Sequence, residues 1–531
     1  MPSVFILSLC RSAKVPLSCL VNMTTKKSRN SCKPSSVLFF IVSLLFTLFL
    51  NLGWVNSKVD TSVSVNAVEA SDKLALNSGA SYYVSPKGSD NNPGTKEKPW
   101  KTISYAVSEK SPVKPGYTIQ VQPGTYTELI TLDKSGDSES GNITLKANGE
   151  VILRDPDSIN GGFGEGVIQS NGKGYWVIDG FRIEKTSWAG ISLRNANNIT
   201  VKNNHTYETG ASGIIILPAN YYNGGELEVT SKDIKVLNNT VERANWRWRS
   251  NSYTVGTQEA LSIWGVNRFE VANNIVKEGN REGIDIKVGS RNGSVHNNKV
   301  TGAAKVSGTP QGYNGGAAIY IDGNRAEMFN IDIYNNTVFR NTADAIVIAD
   351  EVSNQGDVSG IRVYNNVIYE NGRLGVNGGS GILVGRNVRN VEIVNNTIAK
   401  NVQAISIDGA YYTGGYKPHD ILVRNNIFAD STYRNGYIQD VKNLTWDYNL
   451  FTDKFANFYE GGSRIENSKL LNNTKVRSIG FVNLNRNDFR LAAGSLAIDV
   501  GSSQLGTYAK FDKNGVQRNQ GAGIDIGAYE Y

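Results

Sequence analysis

Cysteine is almost missing from this chain. Cys10, Cys19 and Cys32 are all there is, and they stand within the first 32 of 531 residues. If that stretch is removed on maturation, the remainder has no thiol for a disulfide, a zinc-thiolate centre or a cysteine nucleophile. Absence of disulfides does not exclude export, because a large core can fold without staples. Methionine (3), histidine (3) and proline (13) are scarce too. An excess of charge of one sign is also lacking. The formal net charge is +7, but residues 1–70 hold seven Lys/Arg against Asp60 and Glu69, which leaves 48 basic and 46 acidic residues in the body. A nucleic-acid binder carries a basic body with clustered Lys and Arg, so no nucleic-acid partner is expected.

What the chain has in abundance is turn and strand formers: 60 Asn, 55 Gly and 25 Tyr, with 40% hydrophobic residues. That balance excludes disorder and a helical bundle, and reads as a β-rich, turn-rich protein.

One long apolar run stands apart. Val37 to Val55, VLFFIVSLLFTLFLNLGWV, follows Lys26, Lys27, Arg29 and Lys33. Basic residues followed by an apolar stretch direct a segment into a translocon, so residues 1–70 read as a signal peptide or signal anchor plus linker. Met23 is a second candidate start, and cleavage is expected after Ser57, Ala67 or Ala70. The body is therefore expected to be secreted or at the cell surface, touching a membrane only through this segment if it is retained.

From Ile199 onward one pattern recurs: two alternating apolar residues, then Asn-Asn, as in ITVKNN, IKVLNN, FEVANN, GSVHNN, IDIYNN, IRVYNN, VEIVNN and ILVRNN. The first Asn falls at 203, 238, 273, 297, 335, 365, 395 and 425. After each pair comes a second short strand of the form small-apolar-x-apolar: GIII, ALSI, GIDI, AAIYI, AIVI, GILV, AISI. Short strands repeating at a variable period describe a coiled solenoid of strands. Alternation sends Ile214/Ile216, Leu261/Ile263, Ile284/Ile286, Ile319/Ile321, Ile346/Ile348, Ile382/Val384 and Ile405/Ile407 into the core. The Asn pairs suit the bends, since Asn tolerates left-handed backbone and its amide can bond to the equivalent amide one rung away.

The entry SYYVSPKGSDNNPGTKEKPWKTISYAV, the exit DFRLAAGSLAIDVGSS and the terminal GIDIGAYEY resemble those of the secreted right-handed parallel β-helix proteins of the pectin-lyase-like superfamily. The resemblance implies an all-β, right-handed parallel β-helix with a short N-terminal capping helix after Trp100. Residues 71–531 would form one domain: a cap at about 81–115, coils at about 116–480 and an end segment at about 481–531. A monomer is expected.

In such a coil equivalent positions form columns, so residues far apart in sequence become neighbours. Aligning the second strands brings ionisable residues together in QEALSIWG, REGIDIKVG and AAIYIDG. Glu259 and Glu282 fall one rung apart, about 5 Å. Lys287 falls between Trp264 and Asp322. Two carboxylates that close share a proton or a cation. The long insertions on either side of the Glu282 rung suggest a walled trough, and Trp246, Arg247, Trp248, Arg249 and Trp264 suit stacking on sugar rings and pairing with uronate carboxylates.

These parts suggest β-elimination on an acidic polysaccharide. Calcium on Glu259, Glu282 and Asp322 would neutralise the uronate carboxylate and free Lys287 to act as base. Asp285 adjoins it, and Tyr320 or Arg291 could protonate the leaving oxygen. REGIDIKVGSRNGSVHNN is also similar to the calcium-and-base segment of the alginate lyase and chondroitinase B type of lyase, in which a ligand carboxylate precedes the base lysine by five positions, as Glu282 precedes Lys287. Two features depart from that family: Asn280 stands where it has a further carboxylate, and Arg325 is only a loose counterpart of its catalytic arginine. KPHD at Lys417 is similar to part of the catalytic stretch of mannuronan epimerases, but His419-Asp420 reads more simply as the polar lead into ILVRNN. A hydrolase using Glu259 with Glu282 or Asp344, an epimerase, and a non-catalytic polysaccharide-binding or cell-surface protein are the alternatives.

Overall fold

A computed structural model describes residues 79–220, 228–248, 258–307, 316–323, 326–350, 357–372, 378–408, 417–452, 458–460 and 468–531. The expected leader, residues 1–70, lies outside them, as do Arg249 and Arg325.

The described residues coil into three long parallel sheets of 14, 13 and 12 strands, with one two-stranded antiparallel pair near the C-terminus. Each sheet takes one strand from every coil. The first runs from Ser81–Val84 to Lys469–Leu471 and contains the strands that precede the Asn pairs. The third contains the small-apolar-x-apolar strands, such as Leu261–Trp264 and Ile284–Lys287. Between them lies a second sheet built mostly of three-residue strands directly after each Asn pair, His205–Tyr207 and Thr240–Glu242 among them. Three residues are too few to show alternation, which is why only two strands per coil are visible in the sequence pattern.

Parallel pairing in register stacks identical positions, so the core is a set of aliphatic columns. Ile214, Leu261, Ile284, Ile319, Ile346, Ile382 and Ile405 are all completely buried. Each such side chain contributes roughly 1.5–3 kcal/mol by leaving water. At the N-terminal end the helix Ile103–Val107 closes the coil, capped by the Thr102 hydroxyl accepting from the Tyr105 amide, while Glu128 accepts from the Ile103 and Ser104 amides at 3.0 and 2.9 Å.

The two residues of each Asn pair have different tasks. The first takes the left-handed backbone, φ 53–58° from Asn203 to Asn425, that turns the chain out of the first sheet. The second is buried and forms a ladder. From Asn204 through Asn239, Asn274, Asn298, Asn336, Asn366, Asn396, Asn426 and Asn449 to Asn473, each side-chain amide donates to the next Asn Oδ1 at 3.0–3.1 Å. That same oxygen also accepts the backbone N–H of the preceding rung's Asn, as Asn336 Oδ1 does from Asn298 at 2.9 Å. A shorter ladder, Asn341–Asn371–Asn401, runs at 2.8 and 2.9 Å beside the third sheet.

The division of labour is testable within one pair. Asn298→Ala orphans buried partners on both neighbouring rungs and should cost about 2–4 kcal/mol. Asn297→Gly, at an exposed left-handed position, should change stability by only a few tenths of a kcal/mol, roughly. Thermal midpoints of the two variants decide; equal effects would refute the assignment.

Candidate functional site

The third sheet brings the ionisable residues together. Strand Leu261–Trp264 pairs with Ile284–Lys287 so that Ser262 meets Asp285 and Trp264 meets Lys287. The next strand, Ala317–Asp322, sets Tyr320 against Asp285 and Asp322 against Lys287. Ile284 and Ile286 point into the core, and Asp285 and Lys287 therefore point out. Gly283 is needed for the close approach of these rungs: a Cβ there would stand 2.4 Å from the Ala318 carbonyl oxygen.

Lys287 Nζ lies 3.1 Å from Glu259 Oε1, 3.2 Å from Asp285 Oδ2 and 3.2 Å from Asp322 Oδ2, and 5.1 Å from the centre of the Trp264 ring. Arg281, not singled out by the sequence pattern, supplies a second cation. Its Nε is 2.9 Å from Glu282 Oε2, its Nη2 3.7 Å from Glu259 Oε1, and its guanidinium covers the Trp248 ring at 4.5 Å. Ser262 Oγ donates to Glu259 Oε2 at 3.1 Å. Four carboxylates thus surround two cations.

The cluster is buried, where an open trough was expected. Glu259, Glu282, Asp285 and Asp322 are 1–3% exposed and Lys287 7%. Burial pushes the Asp285 carboxyl well above its usual range, and the neighbouring carboxylates Glu259, Asp322 and Glu282 push it further against the pull of Lys287. Burial acts on Glu259 in the same direction, but there Lys287 and Arg281 together win and hold it below the usual value. Although Asp285 faces the Lys287 ammonium, neither of its carboxylate oxygens receives a hydrogen bond. The contact is Coulombic, without a directed N–H.

The remaining expected site residues separate. Trp248 and Trp264 are buried at 1% and 2%, so they support cations and do not offer a ring to solvent. Trp246 is the exposed ring, at 36%, held by its indole N–H on the Thr186 carbonyl at 3.3 Å. Arg247 is anchored on the Ser187 carbonyl at 2.7 Å. Tyr320 is half-buried in an apolar patch with Ala317, Val347, Ala349 and Leu383. Arg291 is not brought to the cluster: the chain has already turned into the first sheet, where its guanidinium lies 5.5 Å from the Phe329 ring.

The cluster's carboxylates also decide how well calcium suits them. Glu282 is taken by Arg281 and Glu259 by Lys287 and Arg281, while Asp322 is taken by Lys287. Among the described residues no three His, Cys, Asp or Glu side chains are disposed to hold a metal ion. As arranged, Glu259, Glu282 and Asp322 do not fit calcium, because ammonium and guanidinium groups of the chain stand in the cation positions.

Directly after Lys287, Val288 has φ 57°. Among the described residues it is the one β-branched side chain in the left-handed region, a conformation that costs roughly 1–2 kcal/mol. Its packing with Trp264, Trp188 and Leu217 holds it there. Strain of this kind concentrates at functional positions.

Comparison with known proteins places the fold. Residues 82–240 match the family described as "Pel9A-like, right handed beta helix region", and residues 259–417 match "Right handed beta helix region". Both family models describe the right-handed parallel β-helix seen here, and each matches less than half of the chain. It is 30% identical over 237 residues to the uncharacterized protein YwoF of Bacillus subtilis (strain 168), covering 40% of this chain and 46% of that one. It is also 30% identical over 148 residues to pectate lyase PEL9 of Emericella nidulans, covering 25% and 35%. The chain thus spans less than half the length of these curated relatives. The solved structure of pectate lyase Pel9A overlays 85% of this chain and 96% of its own, with 16% identity and a TM-score of 0.44.

One further carboxyl of the Glu282 column titrates separately. Asp344 stands opposite Ala317, two rungs beyond Glu282, and burial pushes it up to about 6 against hydrogen bonds from Ser380 and Gly379. The folded state then binds more protons than the unfolded one between the ordinary carboxyl value and about 6, so this group's contribution falls as pH rises through that window. Asp344→Asn, which does not titrate, should gain thermal midpoint relative to wild type on going from pH 4 to about pH 7.5. A constant difference between the two proteins would contradict the assignment.

Proposed function

We propose that this protein acts outside the cytoplasm on an acidic, uronate-containing polysaccharide, cleaving it by β-elimination with Lys287 as the base. The observation that carries this reading is the Lys287 ammonium within 3.1–3.2 Å of Glu259, Asp285 and Asp322 on the outer side of the third sheet. The match to pectate lyase PEL9 over part of the chain supports the same class of chemistry.

The chemistry must begin with Lys287 losing its proton. Asp285 is the acceptor at hand: burial and the carboxylates around it raise its affinity for a proton, and its Oδ2 lies 3.2 Å from Nζ. The freed amine then takes the proton next to the uronate carboxylate. Arg281, the other cation of the cluster, is placed to draw that carboxylate in. The expelled sugar oxygen needs a proton, and the protonated Asp285, with Tyr320 opposite it in register, is the nearest source in the geometry.

A non-catalytic polysaccharide-binding protein is the second reading. The closed ion pairing favours it, because a buried charge cluster can serve as structure alone.

The deciding experiment incubates the purified chain with polygalacturonate, alginate and glycosaminoglycans and follows the ultraviolet absorbance of unsaturated uronate. Lys287→Arg is the informative variant, since it keeps a cation among the carboxylates yet cannot deprotonate. It should fold like wild type and lose about 10²-fold or more of the rate, the usual scale for removing a general base. A chelator should leave the wild-type rate unchanged, whereas strict calcium dependence would restore the expectation of a metal on Glu259, Glu282 and Asp322. Unsaturated product from Lys287→Arg at the wild-type rate, or none from wild type on any substrate, sinks the lyase reading.

A further inference from the structure

Behind the charge cluster, on the turn from the second to the third sheet, lies a cavity of about 540 Å³ lined by Ser158, Lys185, Glu208, Arg243, Trp246, Glu278, Asn280 and Lys305. Its floor is a column generated by the coil. Lys185, Glu208, Arg243 and Glu278 each directly follow a three-residue strand of the second sheet and each have left-handed backbone, φ 51–60°. They therefore project in a row, one per rung, with charge alternating along it.

Most of that charge is spent internally. Arg243 pairs with Glu208 at 3.1 Å and with Glu278 at 3.7 Å, and Lys305 with Glu278 at 3.3 Å. Lys185 is exposed and pairs with no carboxylate among the described residues. The cavity also holds the exposed indole. Of the seven described tryptophans six are at most 5% exposed, and Trp246 is 36% exposed with its orientation fixed by the Thr186 carbonyl. A fixed aromatic face, an unpaired ammonium, and carboxylate, amide and hydroxyl groups between them is the donor set that recognises an acidic sugar.

The cavity shares its walls with the cluster. Asn280 lines it, and the next two residues, Arg281 and Glu282, form an ion pair of the cluster at 2.9 Å. Trp246 lines it, and two residues on Trp248 carries Arg281 over its ring at 4.5 Å. We infer that this cavity is a binding subsite for one uronate residue of a polysaccharide chain, its ring on Trp246 and its carboxylate on Lys185. The inference rests on the reading of the chain as acting on an acidic polysaccharide, and adds a place where that polymer is held away from Lys287.

Calorimetric titration of the full chain with size-defined oligogalacturonate and oligomannuronate, and with the same oligosaccharides after carboxyl reduction, tests it. Trp246→Ala should weaken binding of the acidic oligosaccharides by about tenfold or more, and Trp246→Phe, which keeps a ring, by much less. Lys185→Asn, which tolerates the left-handed backbone, should weaken the acidic probes and leave the reduced ones unchanged. Wild-type affinity in both Trp246→Ala and Lys185→Asn, or no binding of any probe by wild type, overturns the subsite. Lys287→Arg separates this inference from the lyase reading. Binding that depends on Trp246 without cleavage by wild type leaves the subsite and removes the lyase, whereas Lys287-dependent cleavage with binding indifferent to Trp246 does the reverse.

Discussion

Everything in this molecule depends on parallel strands hydrogen-bonded in register from coil to coil. Register converts a sequence repeat into columns, and a column repeats whatever chemistry its position carries: aliphatic inside, Asn at the bend, ionisable on one outer face. The aliphatic columns supply the bulk of the driving force, being completely buried over coil after coil. The Asn ladder contributes something different. It satisfies the backbone N–H groups at a bend that would otherwise be orphaned, and it penalises any slip of one coil against the next, since a slip would cost hydrogen bonds on both sides.

The charge cluster exploits the same rule in the opposite sense. Core columns are tolerant because any aliphatic residue fits them, but the outer positions of Ser262, Asp285 and Tyr320, and of Trp264, Lys287 and Asp322, differ at each rung. Three coils therefore present a unique combination on an otherwise repetitive surface. Burial then sharpens it: in one small volume Glu259 is driven toward the charged form and Asp285 toward the neutral one. Two identical functional groups thus differ in proton affinity through their surroundings alone.

Much of this was legible in the letters. The period of the Asn pairs and the small-apolar-x-apolar strands indicates a solenoid, and aligning the strands reproduces the observed register of Glu259, Asp285, Lys287 and Asp322. Three things were hidden for physical reasons. The second sheet has strands too short for alternation to show. Arg281 sits in the turn before its strand, where column alignment assigns no direction, so its pairing with Glu282 and Glu259 follows from side-chain reach alone. The burial of Trp248 and Trp264 comes from packing between segments distant in sequence, Trp188 and Val288 for the latter, and no local pattern encodes it.

The Asn ladder also bears on how the molecule comes apart. Coils before Asn335 touch little beyond their two neighbours, whereas those from Asn335 to Asn425 are also tied lengthwise by the C-terminal segment, through Lys513, Arg518 and the Asp525 carbonyl, so the coils with the fewest partners open first. The rungs of Glu259, Glu282 and Asp322 lie inside the span from Asn204 to Asn473. Hydrogen exchange or a pulling force would reach them late, and the charge cluster would survive partial unwinding of either end.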